Sequence, residues 1–94
     1  MNEPRVSDAE IDELRRLSAD ATPAPWRAMV EGRDHSAGDS FIMIGREDDR
    51  DEDMYITRDS GPASAPDLDF IAAARNYLPR LIDEIAELRR RCET

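Results

Sequence analysis

The chain has 94 residues, of which 39% are apolar and 37% are charged, and its formal net charge is −9. A chain of this length is expected to fold as one domain, residues 1–94, with a small core. So acidic a surface disfavours a nucleic-acid partner, because affinity for the phosphate backbone comes largely from Lys and Arg displacing counterions. No apolar run approaches the roughly 20 residues of a membrane span, so no membrane partner is expected.

Cysteine usage indicates the compartment. Cys92 is the only cysteine, and the N-terminus lacks the apolar core of a signal peptide. A single cysteine cannot form an intramolecular disulfide, which is typical of a protein from a reducing environment. We therefore expect a cytoplasmic location.

The first predicted element is a helix over residues 8–19. Ser7 stands where its side-chain oxygen can accept hydrogen bonds from the free amides of the first turn, and Glu10 follows three residues later, as in a capping box. Apolar residues recur every three or four positions along the segment and form a narrow stripe. Residues 1–6, which precede this start signal, are expected to be disordered.

A connector with the sequence TPAPW follows, over residues 22–26. Its prolines enforce an extended backbone and remove amide donors, so it should be rigid and not helical. Short segments of alternating, β-branched or aromatic residues come next, and we predict strands at 26–31, 40–45 and 54–57. Loops rich in Gly, Ser and charged residues separate them. Three short strands in succession favour an antiparallel meander.

The last third of the chain carries the longest run of large apolar side chains at helical spacing. Pro79 should either kink or break it, because proline removes the hydrogen bond to the carbonyl four residues earlier and clashes with that carbonyl. We predict one helix over 67–77, whose Phe70 and Ile71 anchor the sheet, and a second over 79–91, which packs on the N-terminal helix or on another copy of the chain. The predicted fold is α+β: a small antiparallel three-stranded sheet packed by an N-terminal helix and a Pro-interrupted C-terminal helical segment.

Two motifs occur in tandem. The first is ATPAPW at residues 21–26, and the second is DLDFIAAAR at residues 67–75, followed by Leu78 and Pro79. Together they resemble the small Ead-like early proteins of lambdoid phages and their relatives in phages and prophages of actinobacteria, although Ala24 replaces the usual glycine of the first motif. The resemblance implies a phage or prophage gene expressed inside the bacterial host, and it implies no settled biochemical activity.

The reactive side chains do not suggest catalysis. His35 and Cys92 are the only histidine and cysteine, and they lie in different predicted elements. A Cys–His pair needs both groups within hydrogen-bond reach. We therefore expect a non-enzymatic protein that carries no cofactor.

The charged loop between the second and third predicted strands has part of a calcium-binding pattern. Asp49, Asp51 and Asp53 occupy the first, third and fifth positions of a calcium loop. However, Met54 stands where the sharp-turn glycine is required, and Ser60 stands where the bidentate glutamate is required. The sequence therefore predicts a solvated loop and no metal site.

The best candidate site is a set of loop residues that can hydrogen-bond or pair with phosphate, together with the single tryptophan. Strands that present Arg- and Ser-containing loops could hold a phosphorylated ligand, although each residue alone is also typical of a solvated surface. Trp26 has two interpretations, a plug of the small core or an aromatic wall for a stacked base. The candidate ligand-binding residues are Trp26, Arg33, His35, Ser36, Ser40, Arg58, Asp59, Ser60 and Arg75.

Our leading hypothesis is a phage-encoded binding protein that sequesters a small nucleotide-type ligand, such as a host defence signal. Such a protein is expected to form a homo-oligomer, for which the C-terminal helix could supply the interface. The alternative hypothesis is an acidic interaction module, or a nucleic-acid mimic, that inhibits a basic host protein. A purely structural accessory role is a third interpretation.

Overall fold

The computed structural model describes residues 5–92, and it confirms the α+β class with an antiparallel three-stranded sheet. The predicted disorder of residues 1–6 falls largely outside the described residues. The elements are α1 (Asp8–Asp20), β1 (Trp26–Met29), β2 (Phe41–Arg46), β3 (Asp49–Arg50), β4 (Thr57–Arg58), β5 (Gly61–Pro62) and α2 (Ala65–Cys92). The strand order in the sheet is β1-β2-β3; the large helix α2 lies against β1 and β2, and α1 lies against α2.

Helix α1 begins as its sequence predicts. The amide of Glu10 donates to Ser7 Oγ at 3.0 Å, and the amide of Ser7 donates back to Glu10 Oε1 at 2.8 Å. These two bonds form the capping box and satisfy amides that have no partner inside the helix. Ile11 is the buried residue of this helix, and it lies on the side that faces α2.

The sheet places one apolar face against α2. In the β1–β2 pair, Trp26 is opposite Ile44 and Ala28 is opposite Ile42, so these four side chains share a face. Ile42 is 0% exposed and is the centre of the core. The buried cluster on this side of the sheet consists of Ala28, Ile42, Ile44, Ala63, Leu68 and Ala72.

The predicted third strand at 54–57 is wrong in position. The chain reverses directly after β2 and pairs again at Asp49–Arg50, inside the charged loop, because Gly45 adopts a positive φ of 89° at a close approach of the two strands. Met54 makes only an isolated bridge with Ile42. Gly45 pairs with Arg50 and Ile42 pairs with Met54. The two residues of β2 are three positions apart and their partners are four positions apart, so the edge strand contains one extra residue, a β-bulge.

The remaining part of the predicted third strand belongs to a separate hairpin. Thr57 and Arg58 pair with Pro62 and Gly61 as the two-stranded β4–β5 unit. The amide of Ala63 then donates to the carbonyl of Ile56 at 2.9 Å and fixes the entry to α2.

The predicted break at Pro79 is also wrong, because α2 is one continuous helix of 28 residues with Pro79 inside it. Its two halves are both tied to α1. Before Pro79, Arg75 Nη1 donates to Ser18 Oγ at 2.7 Å, and after it, Arg15 Nη1 donates to Asp83 Oδ1 at 2.7 Å. Packing on a common partner keeps the halves in line despite the missing backbone hydrogen bond.

The face that α2 turns to the sheet differs from the prediction. Leu68 and Ala72 are buried against the strands, whereas Phe70, predicted as an anchor, is 73% exposed. Ile71 is only half-buried. At about 100° per residue, a side chain two positions from Leu68 lies nearly on the opposite side of the helix. Once Leu68 and Ala72 contact the core, Phe70 must therefore face outward.

Candidate functional site

The residues predicted as a site lie in three places. The loop after β1 holds Arg33, His35, Ser36 and Ser40, and the β4–β5 turn holds Arg58, Asp59 and Ser60. Trp26 and Arg75 lie at the start of β1 and in the middle of α2. The first two groups flank the N-terminus of α2, and the third is at the other end of β1.

Arg33 is committed to carboxylates. Its Nη1 and Nη2 donate to the two oxygens of Asp69 at 3.0 and 2.9 Å, and its Nε donates to Asp34 at 2.9 Å. The bonds from Arg33 hold the pKa of Asp69 below its ordinary value, and the bond from the Val30 amide does the same for the pKa of Asp34. These carboxylates in turn raise the pKa of Arg33. All three of its nitrogens are therefore engaged inside the protein.

Two other residues of this loop hold its shape. His35 Nδ1 is 2.8 Å from the carbonyl oxygen of Ala37, which only accepts, so Nδ1 carries the proton. The His35 ring lies 5.5 Å from the ring of Phe41, centroid to centroid. Ser40 Oγ accepts from the amide of Glu31 at 3.0 Å. Ser36 is exposed at the tip.

The β4–β5 turn presents Asp59 and Ser60 to solvent. Arg58 Nη1 is 3.7 Å from Asp67 Oδ2 in the first turn of α2. Arg58 thus resembles Arg33, since a carboxylate of α2 already neutralises its charge. A phosphate site requires a cation that has no partner within the protein, and neither Arg33 nor Arg58 meets this requirement.

Trp26 is anchored by a residue that the sequence analysis missed, Asn76. The amide of Trp26 donates to Asn76 Oδ1 at 2.8 Å, and Asn76 Nδ2 donates to the carbonyl of Trp26 at 2.7 Å. The side-chain amide thus takes the place of a neighbouring strand at the edge of the sheet. The Trp26 indole nitrogen also faces the carbonyls of Thr22 and Pro23, each at 3.2 Å. These bonds fix the connector relative to α2.

Arg75, which lies beside Trp26, is a residue of α2 that also contacts α1. The Arg75 guanidinium carbon lies 6.0 Å from the centroid of the Trp26 ring, and its Nη1 is bonded to Ser18 of α1. Trp26 itself is partly buried against the core cluster. The sequence allows Trp26 to be either a plug of the core or a wall for a stacked base, and the role in the core accounts for these contacts.

A surface cleft lies next to this anchor, on the far side of the connector. It has a volume of about 450 Å³ and is lined by Ala24, Pro25, Arg46, Asn76, Tyr77 and Arg80. We call it the proline cleft. A neighbouring cleft of about 420 Å³ shares Ala24, Pro25 and Arg46 with it and continues toward β3. The Ala24–Pro25 peptide bond, which contributes to both walls, is cis.

The proline cleft contains two arginines that, unlike Arg33, have no carboxylate partner within residues 5–92. Arg80 lies over the ring of Tyr77, with its guanidinium carbon 4.4 Å from the ring centroid. Within residues 5–92, neither Arg80 nor Arg46 makes a salt bridge within 4.0 Å. Both side chains are exposed. The cleft therefore combines two available guanidinium groups with one stacked aromatic ring.

Residues 5–92 contain neither a cluster of metal ligands nor a helix suited to span a membrane. In the part of the chain that the structure describes, no group of three His, Cys, Asp or Glu side chains is placed to hold a metal ion. Nor does either described helix have the length and apolar character that crossing a bilayer would require.

Comparisons with known proteins add no relative. No family model, no curated protein and no solved structure matches this chain. The resemblance to Ead-like early proteins, which depends on the two sequence motifs, therefore stays a prediction.

Proposed function

We propose that this chain is a non-enzymatic binding protein of phage or prophage origin that captures a small nucleotide-type ligand in the proline cleft. In the host cytoplasm, such a protein would act by sequestering a defence signal. The observation that carries the proposal is the stacked Arg80–Tyr77 pair beside Arg46, with neither arginine paired to a carboxylate in residues 5–92.

The chemistry of these groups suits a phosphorylated ring compound. A planar guanidinium held over an aromatic ring offers a flat surface on which a base can stack. Arg46 at the end of β2 can form paired hydrogen bonds with phosphate oxygens, which a guanidinium does better than an ammonium group. The ligand class follows from this combination of a stacking surface and a phosphate-binding group.

Two residues in the wall of the cleft, Pro25 and Asn76, are held in place before any ligand arrives. Pro25 has a fixed φ, and the Asn76 side chain is locked by its two bonds to Trp26. A volume of about 450 Å³ lies within the range of small-molecule sites. Preformed walls reduce the ordering cost of binding, which favours tight capture.

The position of the reactive side chains favours binding over chemistry. His35 follows the end of β1, whereas the cleft adjoins its beginning, and Cys92 ends α2. A general base must come within hydrogen-bond reach of the group that it deprotonates. The residues that line the cleft offer guanidinium and phenol groups to a ligand instead.

Calorimetry with the full chain tests this proposal. The panel contains cyclic nucleotides and ADP-ribose-derived nucleotides, and at least one of them should bind. Arg46→Ala and Arg80→Ala should each weaken that ligand about tenfold to a hundredfold, since a hydrogen bond to a charged group contributes roughly 1.5–3 kcal/mol. Arg16→Ala is the matched control, because it removes the same charge from an exposed site on α1.

Two results would count against the proposal. Folded protein that binds nothing in the panel removes the nucleotide function. A ligand that binds all three arginine variants equally well removes the proline cleft as its site.

A second candidate function is supported by the charged loop. Glu47, Asp48, Asp49, Asp51 and Glu52 are all exposed at or beside the β2–β3 turn. An array of carboxylates on one edge could mimic a phosphate backbone and occupy a basic host protein. Mimicry predicts a basic partner that moderate salt releases, whereas a nucleotide in the proline cleft requires no such partner.

A further inference from the structure

Helix α2 has a second apolar face, opposite the one that covers the sheet. Its exposed large side chains are Phe70 at 73%, Tyr77 at 54%, Leu81 at 55% and Leu88 at 48%. Exposed Ala74 and Glu84 complete the pattern, in which the spacing alternates between four and three residues. We call the set Phe70, Ala74, Tyr77, Leu81, Glu84 and Leu88 the outer stripe.

This spacing is that of a helix–helix seam. Positions that alternate by four and three residues remain on one side of a helix and interlock with a facing helix. The outer stripe extends over about 27 Å at 1.5 Å per residue. Single exposed apolar residues are ordinary, but a contiguous line of them marks an interaction surface. The flanking Ile71, Leu78 and Ile85 are half-buried and widen the apolar contact on one side.

We propose that the outer stripe binds a second copy of this chain in an antiparallel orientation, with the two-fold axis beside residue 79. In this register Tyr77 faces the partner's Leu81, and Phe70 faces the partner's Leu88. A two-fold interface of this kind uses the same surface on both copies and therefore closes as a dimer.

The single charge within the stripe selects the antiparallel orientation. Glu84 then lies opposite the partner's Ala74, whose small side chain leaves the carboxylate room to reach solvent. A parallel, in-register pair would instead place Glu84 against the partner's Glu84. Like charges in an apolar seam oppose association, so this arrangement is disfavoured.

The ends of α2 select the same orientation. Asp67 and Asp69 lie at its N-terminal end, and Arg89, Arg90 and Arg91 form its last turn. All of them make ion pairs within the chain, but Arg33 is shared by Asp34 and Asp69, which leaves the first end negative, and within residues 5–92 the three arginines share Asp8 and Glu87, which leaves the last turn positive. Antiparallel helices place each negative end beside the positive end of the partner and align their dipoles favourably. Parallel helices would place three arginines beside three arginines. The charge pattern thus complements a second copy of this same helix.

The dimer does not rest on the proposed nucleotide function, because its interface is formed without a ligand, but the two share Tyr77, which lies in the outer stripe and also lines the proline cleft. It is tested by light scattering on the full chain, where the wild type should have twice the mass of one chain. Leu81→Glu puts a charge at the centre of the stripe and should give a monomer with an unchanged circular dichroism spectrum. Leu88→Glu should weaken the dimer in the same direction.

The matched control is Leu17→Glu, which changes a leucine of similar exposure, 49%, on α1. It should remain dimeric. A wild type that is monomeric at every concentration overturns the proposal, and so does a Leu81→Glu variant that is still dimeric. Loss of the dimer in Leu17→Glu as well as in Leu81→Glu would place the interface elsewhere.

Orientation is measured with a spin label on Cys92, the single cysteine, which is exposed. In the antiparallel dimer, residue 92 lies opposite residue 66 of the other helix, which separates the two labelled backbones by about 39 Å at 1.5 Å per residue. In a parallel dimer the backbones would be roughly 8–10 Å apart. A short distance would overturn the antiparallel arrangement.

Discussion

The bond pair between Asn76 and Trp26 makes a specific prediction about stability. Asn76→Ala removes both hydrogen bonds and leaves the amide and carbonyl of Trp26 without partners at a partly buried position. Each lost bond costs about 1 kcal/mol net, and an unsatisfied buried group costs about 1–3 kcal/mol. Alanine recovers roughly 0.6 kcal/mol through its higher helix propensity. Because the position is only partly buried, each of the two groups is taken at about 1.5 kcal/mol, and after the helix gain the expected loss is about 2–3 kcal/mol of the free energy of unfolding.

Thermal and urea unfolding followed by the fluorescence of Trp26, the single tryptophan, measure this loss directly. For a domain of this size, about 2–3 kcal/mol corresponds to a fall in Tm of roughly 8–20 °C. Arg90→Ala is the matched control, because it removes an exposed polar group from the same helix along with a surface ion pair to Glu87 worth roughly 0–1 kcal/mol. Equal losses in the two variants would refute the docking role of Asn76.

Three further predictions concern backbone and charge. Gly45→Ala should destabilise the protein by more than Gly32→Ala: both glycines have a positive φ, but an added Cβ at Gly45 would lie 2.5 Å from a backbone oxygen of β3, and one at Gly32 would meet nothing within 4 Å. Pro79→Ala should raise the urea midpoint, because it restores a hydrogen bond inside a helix that is already continuous. Asp69→Asn should lower stability at neutral pH. Because the Arg33 bonds depress the pKa of Asp69, the difference from wild type should be constant above the ordinary Asp pKa of about 3.9 and disappear as the pH falls through the depressed value.

Local signals in the sequence were sufficient for much of the fold. The Ser7–Glu10 capping box lies within four residues, and it marks the start of α1 correctly. The apolar run at 41–44 likewise predicts the central strand β2, because this signal also lies within a few neighbouring residues. By contrast, the continuity of α2 through Pro79 depends on bonds to α1 that join residues more than fifty positions apart. Local propensity cannot reveal such ties.

The orientation of α2 was harder to predict, because both of its faces carry apolar residues. Leu68, Ala72 and Ile82 define one face, and Phe70 and Leu81 belong to the other. Periodicity shows that a helix exists and that a face is apolar, but it does not show which face meets the sheet. In the structure, the face that carries Leu68 and Ala72 packs in the core cluster with the strands.

The candidate site was the least predictable part. Arg33 and Arg58 look available in the sequence, yet each is neutralised by a carboxylate of α2, Asp69 or Asp67. Arg46 and Arg80, 34 positions apart in the chain, line a common cleft only after the connector has been fixed beside the helix. Residue type suggested guanidinium groups as the binding chemistry, and the tertiary contacts determine which of these groups lack a carboxylate partner within residues 5–92.

Helix α2 has one apolar face in the small core and a second, exposed apolar face that can form a dimer. The largest fully buried side chains are Ile42, Leu68 and Ile82, whereas the outer stripe exposes Phe70 and Leu81 with two further large residues. A short chain buries a smaller fraction of its surface than a long one and has limited stability of its own. Association through the stripe would add the missing burial, and any association of native chains raises apparent stability with concentration. The Tm of the wild type should therefore increase with protein concentration, and that of Leu81→Glu should not.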